Sequence, residues 1–307
     1  MKQFPDSQNN SPSSTSRARL AACGFALAAV ATIILVGLTS RGDARGKEKV
    51  EVAIRPDIPA AAAAIALADD DKPEPGTGTL RGVVTFKGAA PKRRVIVAKG
   101  DPKIEKEEDR KICAAEDLLS DELIVNEKAD NGVANVCIFL KSAPSGYKAP
   151  PPPEEPAVFD QKGCRFIPHI LFVRTKQKVL IKSGDNLVHN THTNPLKNTG
   201  FNKAISPEDR EGQPLTYDKP EPLPVSVNCD YHKWMKGWHL VLDHPFGAIS
   251  DENGRFEIKG LPPGKYEFVV WHESPGYLSR KQAVEIKADK VTEEKLSYTA
   301  AQFKVAK

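Results

Sequence analysis

The chain has 307 residues, with 44 Lys+Arg against 40 Asp+Glu and a formal net charge of +4. A chain of this length supports one to three domains with sizeable cores, and 40% hydrophobic against 27% charged residues excludes both a disordered polyelectrolyte and a polytopic membrane protein. No dense Lys/Arg tract stands out, so nucleic acid is not an expected partner.

The first element is an apolar run at 20–38, LAACGFALAAVATIILVGL, whose only polar side chain is Thr32. Lys2, Arg17 and Arg19 precede it and Arg41 follows it. Nineteen residues approach the roughly 20 that cross a bilayer as a helix, and exceed the usual signal-peptide core of about 7–15. Residues 1–45 are therefore either an uncleaved signal-anchor or a cleaved signal, with the small-x-small form of a cleavage site at Ala66-Leu67-Ala68. Either way the rest of the chain is expected to be exported, to the periplasm or the cell surface, where disulfides persist. Residues 46–78 have linker chemistry: a charged stretch, the run PAAAAAIALA and then DDDKPEPGTG, with little to bury.

From Thr79 the pattern changes to apolar runs of four to seven residues split by Gly, Pro and Asp/Asn turns, such as LRGVVTF, NVCIFL, HILFVR, KVLIKS, WHLVLD and YEFVVW. Runs rich in Val, Ile and Phe at this spacing predict strands, and the chain reads as all-β, a sandwich or barrel. Only 103–124 has the composition of a helix. The Pro150–Pro153 run is a stiff loop that no central strand accommodates.

The chemistry concentrates around the one internal methionine. Val225–Asp243 reads VSVNCDYHKWMKGWHLVLD and sets Cys229, His232 and Met235 in the spacing C-x2-H-x2-M between two strand-like runs. In a tight loop the thiolate ends one strand, the imidazole sits at the apex and the thioether begins the next, so all three can face one ion. A thiolate with two imidazoles and a weak axial thioether is the donor set of copper in trigonal geometry. The missing imidazole is expected from His189, forty residues before Cys229. Chance places His and Met at these offsets from one of five cysteines with a probability of about 0.0007.

These two segments resemble a small blue copper protein, a cupredoxin of the plastocyanin/amicyanin type. Phe166-Ile167-Pro168 followed by HILFVRTKQKVLIKSGDNLVHN is similar to the cupredoxin run that leads through two strands to His-Asn. The resemblance covers about 157–243 and implies a Greek-key sandwich holding one type 1 copper ion on His189, Cys229, His232 and Met235. It also implies that Asn190 ties the two ligand loops together by hydrogen bonding. Tyr231 and Thr175-Lys176-Gln177 depart from the family, which often has Pro and a Gly-containing turn there. His192 lies three residues after His189, on the opposite face of a strand, and reads as a surface or turn group. His169, His239, His244 and His272 read as packing or surface groups.

With Cys23 in the apolar run and Cys229 given to copper, Cys113, Cys137 and Cys164 remain. Cys137 sits inside NVCIFL and reads as a small buried hydrophobe. Cys113 and Cys164 lie in polar, loop-like surroundings and are expected to form a disulfide.

After the copper loop, FGAISDENGRFEIKGLPPGKYEFVVWHE carries a turn at Asp251–Gly254 and a hairpin turn at Leu261-Pro262-Pro263-Gly264. It resembles the end of a carboxypeptidase-regulatory-like (transthyretin/Cna-B-like) β-sandwich. The first strand of that family matches Gly82-Val83-Val84-Thr85-Phe86, far upstream. The cupredoxin unit is then inserted in, or fused to, a second sandwich built from about 79–143 and 244–300.

The expected function is one-electron transfer at the cell envelope, with Lys233, Trp234 and Lys236 forming a contact patch for an acidic redox protein. A multicopper enzyme would need further His-x-His or adjacent His-Cys arrangements, which the chain lacks, so no catalytic residue is assigned. The alternative is a surface or adhesion protein whose copper site serves storage, sensing or fold stability.

Overall fold

The computed structural model describes residues 72–305. The apolar run at 20–38, with the expected N-terminal helix, and the linker through residue 71 lie outside the described residues. Among the described residues no helix is long and apolar enough to cross a membrane.

The described chain is all-β, with one seven-residue helix, Glu107–Cys113, and one short 3-10 turn. Four sheets share three apolar layers. The first sheet runs Gln213–Thr216, Lys178–Ile181, Ala157–Gln161, Phe166–Ile167. The second runs Asn202–Ile205, His189–Asn194, Val225–Asn228, Lys236–Leu242, Ile170–Arg174, its last two strands parallel. The third runs Gly247–Ile249, Cys137–Phe139, Gly264–His272, Gly276–Ile286. The fourth is centred on Gly78–Lys87, which pairs antiparallel with Arg255–Leu261 and parallel with Val291–Thr299.

Strand alternation explains how these sheets fit together. In the second sheet Val173, Val225, Val227 and Val241 meet Phe159, Val179 and Ile181 of the first, while Ile170, Leu240 and Leu242 point the other way. There they meet Cys137, Phe139, Val269 and Trp271 of the third sheet. Ile138 and Val270, one residue out of phase, join Leu80, Val84 and Leu296 in the layer under the fourth sheet. A strand apolar at every position is one buried on both faces, which is why NVCIFL, WHLVLD and YEFVVW read as continuous runs.

The first two sheets are inserted between neighbours of the third. Cys137–Phe139 pairs antiparallel with Gly247–Ile249, and the Leu140 N–H donates to the Phe246 carbonyl at 3.1 Å, so the chain leaves and re-enters at one point. In the turn before Arg255–Leu261, Gly254 has φ +78°, and a Cβ there would stand 2.3 Å from the Val84 carbonyl oxygen. Only glycine fits that close approach.

Residues 95–119, between the first strand and the third sheet, pack elsewhere. Val97, Ile104, Cys113, Ala114 and Leu118 join the apolar layer that holds Cys229 and Met235. Val95–Val97 pairs with Leu118–Leu119, and the segment caps the ligand-loop end of the inserted pair of sheets.

Candidate metal centre

The strand Val225–Asn228 ends one residue before Cys229, and Lys236–Leu242 begins one residue after Met235. The loop between them is closed by its own backbone: the Met235 N–H donates to the His232 carbonyl at 2.8 Å, and the Cys229 N–H to the Met235 carbonyl at 3.3 Å. His189 opens the neighbouring strand His189–Asn194, which pairs with Val225–Asn228 and so brings a residue forty positions away beside Cys229.

The donor atoms of His189, Cys229 and His232 lie within 4.8 Å of one another, all on buried residues. The two imidazoles face each other through Nδ1, 3.0 Å apart, and the Cys229 sulfur is 3.7 Å from the His232 Nδ1. Bonds of about 2.0 Å from nitrogen and 2.3 Å from sulfur to a shared ion span such separations. Met235 is 2% exposed and packs in the same apolar layer as Cys229. The donor set, all on buried residues, therefore fits a soft, trigonally bound ion.

The surroundings charge the site for a cation. Burial alone would raise the Cys229 thiol, but contacts to His189 and His232 and the Asn190 N–H at 3.5 Å outweigh it and bring its pKa down to about 6. Burial likewise works against protonation of His189, and is overcome by Asp185 and Cys229, which raise it to about 8.

Asp185 was not singled out from the sequence, although it stands four residues before His189. Its carboxylate accepts from the His189 Nε2 at 2.9 Å and from the N–H groups of Gly163 at 2.7 Å and Cys164 at 2.9 Å. By accepting at Nε2 it turns the lone pair of a neutral His189 inward at Nδ1. Asp109 was also missed. It lies on the Glu107–Cys113 helix with a carboxylate oxygen 3.4 Å from the His232 Nε2. Nothing local to 103–124 signals that contact, because it depends on the cap folding back over the loop.

Asn190 joins the two ligand segments. It accepts from the Asp230 N–H at 2.6 Å and donates through Nδ2 to the Asp230 carboxylate at 2.7 Å and to Asn202 at 2.9 Å. Cys113 and Cys164 form a disulfide, and their sulfurs lie within 4.8 Å of a His232 ring nitrogen. Cys137 is a free, fully buried thiol. Lys233 and Lys236 are exposed, and Trp234, half-buried, tilts against the His232 ring at 5.3 Å. All three line a cleft of about 350 Å³ that reaches Met235.

The remaining histidines lie apart from this set. His192 is 3.2 Å from both oxygens of Asp230, and His169 bonds Glu273, which also accepts from the Trp238 indole at 3.0 Å. His239, His244 and His272 are buried, each with an unpartnered Nε2.

No family model matches the chain, and no curated protein matches it. Solved structures that resemble part of it are cupredoxins and a copper enzyme. A purple cupredoxin from Nitrosopumilus maritimus is 15% identical over 28% of this chain and 98% of its own, with a TM-score of 0.24. An oxidised amicyanin variant is 17% identical over 35% of this chain and 98% of its own, with a TM-score of 0.25. A copper-containing nitrite reductase from Thermus scotoductus is 21% identical over 33% of this chain, with a TM-score of 0.26, and the match spans 25% of that enzyme. TM-scores of this size carry no weight for function, and the site stands on its own donors.

Proposed function

We propose that the chain is a type 1 copper protein that transfers single electrons at the cell envelope. The observation that carries this reading is the buried convergence of the His189 and His232 Nδ1 atoms on the Cys229 sulfur, with Met235 in the same loop. Bound there, copper would supply a one-electron couple between its two oxidation states. The chain's own residues do the rest. Asp185 orients His189, Asn190 locks the Cys229 loop to the His189 strand, and the apolar layer excludes water.

Lys233, Trp234 and Lys236 on the same loop are the proposed contact for an acidic redox partner. The outer two sheets fit a carboxypeptidase-regulatory-like spacer, on the turn signatures at Asp251–Gly254 and Leu261–Gly264, and the assignment names no catalytic group. The Cys113–Cys164 disulfide favours an oxidising, exported location.

A second reading, copper storage or sensing, is favoured by the 2% exposure of His232, which lies against Asp109 and Cys113 of the cap rather than at the surface. Titrating the chain with Cu(II) tests the first point: an intense thiolate-to-copper band should appear and be lost in Cys229→Ser. Absence of the band would refute the copper assignment. A coloured protein with no reversible voltammetric response would transfer the case to storage. Met235→Leu should shift the potential and the spectrum while leaving the domain folded, and an unchanged potential would remove Met235 from the site.

A further inference from the structure

Both candidate ligand histidines turn Nδ1 inward, so their outer nitrogens point away from the shared site. For His189 the holder is Asp185, itself gripped by the N–H groups of Gly163 and Cys164. Behind His232 stands Asp109, its carboxylate 3.4 Å from Nε2, at ion-pair distance and without a hydrogen bond. Asp109 and Cys113 are four residues apart on one helix and so share a face. Cys113 is bonded to Cys164. The two carboxylates are thus anchored to opposite halves of one disulfide: Asp109 shares the helix of Cys113, and Asp185 accepts from the Cys164 N–H. Both sulfurs lie within 4.8 Å of a His232 ring nitrogen, and the Cys164 sulfur lies within 4.8 Å of an Asp185 oxygen and a His189 ring nitrogen.

The helix cannot hold Asp109 in place unaided. It has seven residues and no side-chain N-cap, and isolated helices of that length are marginal in water. Its hold on the protein comes from Ile104, Ile112, Ala114 and the buried Cys113 in the apolar layer. Of these anchors only Cys113 is covalent.

We infer that the Cys113–Cys164 disulfide is a clamp on the metal centre, positioning Asp109 and Asp185 behind His232 and His189 so that opening it weakens the hold of both rings on copper; this rests on the copper reading above. Asp109, Cys113 and Cys164 are positioning residues and touch no ion themselves.

The test uses the full-length chain, with Cu(II) as the probe. Wild type must first show the thiolate band that Cys229→Ser abolishes; its absence refutes the copper reading and leaves nothing for the clamp to act on. With the band present, Cys113→Ser/Cys164→Ser opens the clamp without adding thiols that react with copper. Competition against a chelator should show a 10- to 100-fold loss of copper affinity, the range for removing a group that orients a ligand. The copper hyperfine pattern should change with it, while far-UV circular dichroism holds. Should the double variant fail to fold, Asp109→Asn decides, because it keeps the disulfide and alters a partly exposed side chain. It should weaken copper binding about tenfold and move the His232 ring nitrogen resonances of the copper-free protein, with Asp109→Glu restoring part of both. Affinity within twofold of wild type and an unchanged hyperfine pattern, in a folded double variant or in Asp109→Asn, overturns the clamp.

Discussion

His239 lies on the strand leaving the ligand loop, with no exposed surface. Its Nδ1 is 2.8 Å from the Tyr217 hydroxyl, the Phe159 ring stands edge-on at 4.4 Å, and Nε2 has no partner. No acid faces the ring, so a proton on it would be an uncompensated charge in an apolar layer, and burial holds its pKa down to about 3 against the ordinary 6.5. The unfolded chain, titrating near 6.5, takes up that proton first. The group's contribution to stability is therefore complete above about pH 6.5 and is lost as pH falls from there toward 3. At about 1.36 kcal/mol per pH unit, the loss by pH 4.5 is roughly 2.7 kcal/mol. His272, held down to about 4 by burial, adds a loss of similar size over the same window. The assay is urea unfolding at pH 7.5 and 4.5 for wild type and His239→Leu. Both proteins share every other titration, so the drop in stability between the two pH values should be smaller in the variant by roughly 2.7 kcal/mol, whatever its absolute stability. Equal drops would mean that the buried imidazole is not kept neutral, and would reopen His239 as a charged or ligating group.

Asn190→Ala removes two hydrogen bonds to Asp230 in the Cys229 loop and one to Asn202, and should cost about 2–3 kcal/mol in urea unfolding, with faster copper release by stopped-flow; unchanged release would show that Asn190 does not lock the loop. Gly254→Ala forces a Cβ to within 2.3 Å of the Val84 carbonyl at φ +78° and should lower the melting temperature by several degrees; an unshifted transition would mean that the turn relaxes freely. Burial pushes the Cys137 thiol far above its usual range, so iodoacetamide should leave it unmodified in the native protein and label it in denaturant. Native labelling of Cys137 would show that the layer between the second and third sheets opens.

What could be read from the chain followed from how far apart the interacting residues lie. Strands announced themselves by short Val/Ile/Phe runs, because a pleated chain buried on one or both faces needs such side chains at every second or every position. Cys229, His232 and Met235 stand out because one tight loop carries all three. His189 required the further step of a strand pairing across forty residues, and the structure puts it beside Cys229 through the register of His192 on Asn228. Asp185, Asp109 and the cap over His232 were not legible. A carboxylate behind a histidine has no spacing rule of its own, and 103–124 carries only the composition of a surface helix. Whether such a segment covers a sandwich or drifts in solvent is decided by tertiary contacts of Ile104, Cys113 and Leu118 that no local pattern encodes.

Leu140, where the chain leaves the third sheet, and Phe246, where it returns, are hydrogen-bonded neighbours. A doorway one hydrogen bond wide lets a whole module be spliced into an existing sandwich without redrawing its strand order, since the host strands on either side remain neighbours. Removing it is another matter. Ile170, Leu240 and Leu242 on the guest bury Val269 and Trp271 on the host, so excision would strip an apolar face from each. The inserted sheets hang on the rest by a narrow chain crossing and are held to it by a broad apolar face.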